Sequence, residues 1–291
     1  MADTSNVITR FAPAPTGFLH LGHVVNAIYV WGLARARGGR VLLRIEDHDR
    51  KRSRPEYEQA ILEDLSWLGF VADEPLVRQG ERGTIYEAAL ERLRNVGLIY
   101  ACECTRTGIA AASQPGQELC YPGTCRGKNL PEQPGLGVRV RIAPSVERFD
   151  DVRHGPQQQR PFEACGDLLV RDRDGNWTYQ FAVTVDDDAQ GITDVIRGDD
   201  LLSSTGRQIQ LARLLGRSTP PQFLHHRLVM KSATQKLSKA DRDTSVRDLR
   251  SAGWTAARVI GRAAASVGLA DVERPLSAND VAVLFSGVRR A

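Results

Sequence analysis

The sequence predicts an α/β protein: a parallel sheet, interrupted by an inserted α+β subdomain that holds a metal, and followed by a short helical C-terminal segment. Three observations carry this expectation. Between residues 7 and 45 an apolar run, a loop broken by Pro and Gly, a helical apolar repeat and a second apolar run follow one another. That order is one βαβ unit, with parallel strands and a right-handed crossover. Four of the five cysteines then cluster between Cys102 and Cys125. Apolar strand-like runs return at 192–196 and 223–230, so the sheet resumes after the insertion. The expected boundaries are 1–100 and 191–240 for the two halves of the sheet domain, 101–190 for the insertion and 241–291 for the helical segment.

Composition sets the outer limits. With 42% hydrophobic and 25% charged residues, the 291-residue chain reads as a soluble globular protein. No apolar run approaches the roughly 18 residues of a membrane span. The first residues lack the basic and apolar regions of a secretion signal, so a cytoplasmic protein without membrane contact is expected. A net charge of +4 permits a nucleic-acid partner only where basic residues cluster. Neither repeats nor low-complexity tracts interrupt the sequence.

The first strand, residues 7–9, runs into a loop whose Pro13, Pro15 and Gly17 forbid regular structure. Leu21, Val24, Val25 and Ile28 then fall at helical spacing, continued by Trp31 and Leu33 and stopped at Gly38-Gly39. His20, Gly22 and His23 lie where that helix begins, beyond the end of the first strand, a place suited to phosphate. The second strand, 41–45, ends in Glu46-Asp47. Ser53 and Glu56 have capping-box spacing around Pro55, ahead of a helix marked by Tyr57, Ile61, Leu62, Leu65 and Leu68. A further helix spans 84–96 and stops at Gly97.

Without a secretion signal, clustered cysteines favour metal over disulfides. Cys102, Cys104 and Cys125 supply three soft ligands, and either Cys120 or Tyr121 the fourth; Cys165 stands apart as a core residue. Residues 126–161 read mostly as loop, with one strand at 138–142. Runs 168–170 and 177–181 flank Asp174-Gly175 as a hairpin, and Asp186, Asp187 and Asp188 read as a solvated acidic turn rather than a cation site. The strand at 192–196 ends in Arg197-Gly198-Asp199-Asp200, a helix runs from Thr205 to Gly216, and the strand at 223–230 leads to a lysine-rich loop holding Lys236 and Lys239. Val246, Leu249, Trp254, Val259 and Ile260 predict packed helices, with a last one over 278–285.

His20-Leu21-Gly22-His23 and Lys236-Leu237-Ser238-Lys239-Ala240, in that order, resemble the two signature motifs of class I aminoacyl-tRNA synthetases. RFAPAPTG at 10–17, IED at 45–47, YQFAVTVDD at 179–187 and IRGDD at 196–200 narrow the resemblance to the glutamyl-tRNA synthetase branch. With its Cys-X-Cys…Tyr-X3-Cys pattern, and with no sequence left for a separate anticodon-binding domain, the chain is similar to the glutamyl-Q tRNA(Asp) synthetase family. The resemblance implies a class I synthetase fold on a Rossmann-like sheet. It implies a ligase that activates L-glutamate with ATP and Mg2+, without tRNA, then esterifies the cyclopentene ring of queuosine in tRNA(Asp). It assigns ATP to His20, Gly22, His23, Lys236 and Lys239, with His20, His23 and Lys239 catalytic. Glutamate falls to Arg10, Phe11, Ala12, Pro13, Ala14, Glu46, Tyr179 and Arg197. One structural zinc per chain falls to Cys102, Cys104, Tyr121 and Cys125, so the resemblance selects Tyr121 over Cys120. Ala14 departs from the serine the family often carries, which removes a hydroxyl contact to the amino group. The rival expectations are a minimal glutamyl-tRNA synthetase charging tRNA(Glu), and a non-catalytic paralogue binding tRNA or an amino acid.

Overall fold

The computed structural model describes residues 7–111, 119–230 and 244–287. Strands β1 (Ile8–Phe11) and β2 (Arg40–Ile45) pair in parallel around helix α1 (Leu21–Ala36), giving the expected βαβ unit. Helix α2 (Pro55–Leu68) carries the chain to β3 (Val77–Arg78), which pairs in parallel with β2; α3 (Gly83–Asn95) follows. Three antiparallel strands, β4 (Ile99–Cys102), β5 (Gly137–Val140) and β8 (Leu168–Arg171), form a separate sheet, with a register shift between Val138 and Arg139. The remaining sheet has the order β7-β6-β10-β9, from β6 (Glu147–Asp151), β7 (Gly155–Gln159), β9 (Asp194–Gly198) and β10 (Gln222–His226); helix α4 (Arg106–Ala111) follows β4, α5 (Pro161–Cys165) precedes β8, and α7 (Thr205–Leu214) lies between β9 and β10. Thr193 ties its β9 edge to β1: its N–H donates to the Ile8 carbonyl, and its Oγ1 accepts the Ile8 N–H, both at 2.9 Å. The chain thus leaves β1 in one direction along the sheet and returns at β9 in the other. Such a switch opens a crevice at the carboxyl ends of the two strands.

Helix α1 is buried almost throughout, from Val24 to Ala34. It lies between the sheet and α8 (Val246–Ser251), α9 (Ala256–Ser266) and a 3-10 turn at Ala278–Phe285, which share its core through Val246, Val259, Ile260, Val281 and Phe285. Gly32 makes this packing possible, because a Cβ there would come within 2.2 Å of the Phe285 ring. No helix among the described residues is long and apolar enough to cross a membrane.

Several local expectations are corrected. Of the hairpin at 168–181 only the first arm is a strand; a single bridge joins Arg171 to Trp177, and the chain then turns into α6 (Tyr179–Ala189). Phe181, Ala182 and Val185 also recur at helical spacing, and packing with Tyr86, Leu90 and Leu211 selects that period. Asp186 and Asp187 are therefore buried on a helix face, not solvated in a turn. Residues 147–159, expected as loop, form the β6–β7 hairpin, and the 278–285 segment is a 3-10 turn rather than an α-helix. Ser53 does not cap α2: Arg54 holds the N-cap position, Pro55 sets the first turn, and Ser53 Oγ has no partner. The strand expected at 223–230 ends at His226.

Helix α2 carries one buried liability. Asp64 faces α8, and neither of its carboxylate oxygens has a hydrogen-bond partner. Burial pushes its carboxyl up to about 6 from 3.8, against the pull of Arg247 and Arg250. The folded chain thus keeps a proton that the unfolded chain has released, and stability falls as pH rises through that window. Asp64→Asn is expected to raise stability at pH 8 by on the order of 2 kcal/mol and to leave it nearly unchanged at pH 4. Thermal melts at the two pH values check this; a variant less stable than wild type at pH 8 would contradict it.

Candidate active site

A cleft of about 680 Å³ opens at the crevice between β1 and β9. Its walls bring together Arg10, Phe11, Ala12, Pro13, Ala14, His20, Gly22, His23, Glu46, Tyr179 and Arg197. A smaller hollow of about 410 Å³, between 132–138 and 171–175, contains none of them. Lys236 and Lys239 lie outside the described residues. The described flanks of that segment border the cleft: Val229 lines it, and Ser245 is bridged to His20.

The histidines cap the helix on which they stand. His20 is the N-cap of α1; its Nδ1 accepts the Gly22 N–H, while its own N–H donates to His23 Nδ1, both at 3.1 Å. A Cβ on Gly22 would approach the His20 ring to 2.9 Å, so glycine leaves room for this cap. The His23 N–H goes to the His20 carbonyl at 2.8 Å. The backbone donors expected to meet phosphate are therefore partly used by the cap itself. In exchange, each neutral ring accepts at Nδ1 and carries its proton on Nε2. The rings stand 4.0 Å apart.

Beneath the cleft lies a layer of buried charge. Arg44, fully buried on β2, sends Nη1 to Asp187 at 2.9 Å and Nη2 to Glu46 at 3.3 Å. Arg10 Nε meets the same Asp187 oxygen at 2.9 Å. Asp186 accepts from Arg82, Gln79 and Tyr86, and His48 leans on Gln79 at 2.6 Å. Burial works against the Arg44 charge, but Asp187, Glu46 and Asp186 outweigh it and hold the guanidinium well above its ordinary value. Asp187 is likewise opposed by burial, yet Arg10 and Arg44 bring its carboxyl below the usual range. Glu46 is the exception: burial lifts its carboxyl despite Arg44, His48 and Arg10.

Arg197 is the other exception. It is buried, and it donates to His225 Nε2 (3.0 Å), Gln208 Oε1 (2.7 Å) and Thr205 Oγ1 (2.9 Å), all neutral acceptors. Burial depresses its pKa. In this layer Arg10, Arg44 and Arg82 each meet a carboxylate of Glu46, Asp186 or Asp187, whereas Arg197 touches none directly. A buried charge of this kind is costly until a ligand of opposite sign arrives.

The cysteine cluster sits apart from the cleft. Cys102, Cys104 and Cys125 bring their sulfurs within 4.8 Å of one another, Cys104 and Cys125 to 3.6 Å. Zinc–sulfur bonds of ~2.3 Å in a tetrahedron require edges of about 3.8 Å, so the donor set fits a zinc ion. Tyr121 Oη lies 3.5 Å from Cys102 Sγ, whereas Cys120 Sγ turns away toward the Glu163 carbonyl. The Tyr121 loop docks against Gly166, where a Cβ would come within 2.1 Å of the Tyr121 carbonyl oxygen. Arg139 stacks on the Tyr121 ring and donates to Cys102 Sγ at 3.3 Å. Cys165 is buried in a different cluster.

Sequence reasoning missed Thr16, Asn26, His48, Asp49, Arg52, Asp200, His226, Leu228 and Val229 on the cleft wall, and Arg44, Asp151, Asp187, Gln208 and His225 behind it. Arg44 did leave a signal: an arginine inside the apolar run of β2 announces a buried charge needing a partner.

Residues 6–265 match a family model described as tRNA synthetases class I (E and Q), catalytic domain. The chain belongs to that family. It is an aminoacyl-tRNA synthetase-like ligase. It is 40% identical over 279 residues to a Rhodobacter capsulatus protein named Glutamyl-Q tRNA(Asp) synthetase, an alignment covering 88% of this chain and 100% of that protein. A Burkholderia cenocepacia protein of the same name is 44% identical over 285 residues, covering 93% and 91%. Among solved structures, a glutamate tRNA ligase from Elizabethkingia meningosepticum in complex with its amino acid superposes with a TM-score of 0.79 at 28% identity. That match covers 99% of this chain and 66% of the ligase, so the chain spans just under two thirds of that structure's length.

The charged layer makes Arg44 a strong stability determinant. Arg44→Met leaves Asp187 and Glu46 buried without their shared partner and is expected to cost roughly 3–5 kcal/mol. Arg247→Ala, which breaks the exposed pair with Glu63, is expected to cost under about 1 kcal/mol. Denaturant unfolding of both variants checks the contrast, and equal losses would refute it.

Proposed function

We propose that this ligase activates L-glutamate with ATP, without tRNA, and then transfers the glutamyl group to the cyclopentene ring of queuosine in the anticodon loop of tRNA(Asp). Arg197 carries the amino-acid half of this reading: a buried guanidinium with only neutral acceptors awaits a carboxylate. Glu46, whose carboxyl burial lifts, suits an ammonium in the same cleft. A molecule with two carboxylates and one ammonium supplies both charges. The relatives named Glutamyl-Q tRNA(Asp) synthetase support the acceptor.

In the first step an α-carboxylate oxygen of glutamate attacks the α-phosphorus of ATP, and the bond to pyrophosphate breaks. The nucleophile comes with the substrate, so the protein positions it and neutralises charge. His20 and His23 donate Nε2–H to phosphate oxygens, and Gly22 lies close to the adenine. Lys236 and Lys239 offset charge on the departing pyrophosphate, as does the Mg2+ that accompanies ATP. Arg10, Arg197 and Tyr179 bind carboxylate. Glu46 takes the ammonium, and Phe11, Ala12, Pro13 and Ala14 form the wall. In the second step a queuosine hydroxyl attacks the activated carbonyl, AMP leaves, and the hydroxyl proton passes to the departing phosphate. Cys102, Cys104, Tyr121 and Cys125 hold a structural zinc that supplies folding energy to a loop-rich segment.

The deciding experiment follows labelled glutamate. It is incubated with ATP and either queuosine-containing tRNA(Asp) lacking its 3′-terminal hydroxyls or intact tRNA(Glu). Label is expected in the anticodon fragment of tRNA(Asp), and pyrophosphate exchange should proceed with no tRNA present. Label on the 3′ end of tRNA(Glu) instead would establish a minimal glutamyl-tRNA synthetase. Elemental analysis of protein purified without chelator is expected to find about one zinc per chain, and a metal-free result would remove the zinc assignment.

A further inference from the structure

The partners of Arg197 form a cradle with an unusual property: every acceptor is uncharged. Asp151 on β6 stands behind the cradle, separated from the guanidinium by a histidine, and Asp187 acts on Arg197 only across space. His225 lies 74 residues from Asp151 in sequence and meets it through Nδ1 at 2.7 Å. The same Asp151 oxygen accepts the His225 backbone N–H at 3.0 Å, and the other accepts the N–H groups of Arg153 and His154. Asp151 receives donors only, so His225 carries its proton on Nδ1 and turns a lone pair at Nε2 toward Arg197. Phe223 stacks under the imidazole and holds its plane. Gln208, which accepts from Arg197 Nη1, has its amide orientation fixed because its Nε2 donates to Gln180 Oε1 at 2.8 Å. Thr205 Oγ1 accepts from Nη2. By contrast Arg10, the second guanidinium of the cleft, is already met by Asp187.

Resting on the glutamate reading above, we propose that Gln208, Thr205 and His225, the last oriented by Asp151, are positioning residues that make Arg197 select a carboxylate over a carboxamide. The cradle satisfies the geometry of the guanidinium while leaving its charge for the substrate. A carboxylate in any of these places would hold Arg197 equally well and would cancel the charge that rejects glutamine. Glutamate is then chosen for its negative side chain, which glutamine, of nearly equal shape, does not offer.

Gln208→Glu tests this directly, because it preserves shape and adds the carboxylate that the cradle excludes. Binding of L-glutamate is measured by titration calorimetry on the full chain, L-glutamine by competition, and stability by thermal melting. The variant is expected to melt no lower than wild type, to bind glutamate at least tenfold more weakly and to change less than threefold toward glutamine. In pyrophosphate exchange the loss should appear in KM for glutamate, with KM for ATP within threefold. A folded variant that loses less than tenfold for glutamate overturns the proposal, as does an equal loss for glutamine or ATP, which marks general disruption. Should Gln208→Glu fail to fold, His225→Gln and His225→Leu decide instead. Glutamine at 225 retains an acceptor for Nε and should keep more glutamate affinity than leucine; equal affinities overturn the proposal. Wild type that binds no glutamate sinks the functional reading itself, whereas wild type that binds it with unaffected variants sinks this inference alone.

Discussion

The structure depends on holding ionised groups out of water beneath one cleft. Arg44 makes that possible. From the middle of β2 it reaches Asp187 on α6 and Glu46 at its own strand end, and Asp187 in turn meets Arg10 on β1. Two strands and a helix, far apart in sequence, are thereby fixed by one guanidinium. Desolvating these charges is expensive, and only dense mutual pairing makes it tolerable. The pairing is incomplete at Arg197 and weakest at Glu46, and both groups line the cleft.

The histidine end of the cleft obeys a different economy. There the donors are half-buried rings rather than buried charges, and His20 and His23 satisfy each other's local hydrogen bonding. The arrangement fixes both tautomers through backbone contacts, so the orientation of the imidazoles comes from helix capping and not from the ligand. Preorganised donors of this sort cost no rearrangement at the moment of reaction.

Legibility in the sequence followed distance along the chain. His20, Gly22 and His23 were readable because a helix start is a local event. Arg10, Glu46 and Arg197 were readable as motif residues at strand ends, although nothing local reveals that Arg10 is paired and Arg197 is not. The run at 177–181 beside Asp174-Gly175 reads as a hairpin arm, and only packing against Tyr86 and Leu211 decides for α6, which buries Asp186 and Asp187. The polar β7 strand, rich in glutamine, carried no apolar alternation to announce it. The link between Asp151 and His225 crosses 74 residues and could emerge only from the folded sheet. The cysteine spacing brought three sulfurs into one cluster, whereas spacing alone did not choose between Tyr121, whose Oη lies 3.5 Å from Cys102 Sγ, and Cys120, whose Sγ points to the Glu163 carbonyl.

Helix α1 has a consequence for how this chain tolerates change. It spans about 24 Å, with His20 at its start and Gly32, against the Phe285 ring, near its end. Enclosed by the sheet on one side and α9 on another, it has almost no free face on which drift could accumulate. A bulkier side chain at position 32 would tilt the rod, and a tilt at that end swings the imidazoles at the other. Variation harmless to catalysis must therefore collect on helices such as α3, one side of which is largely exposed.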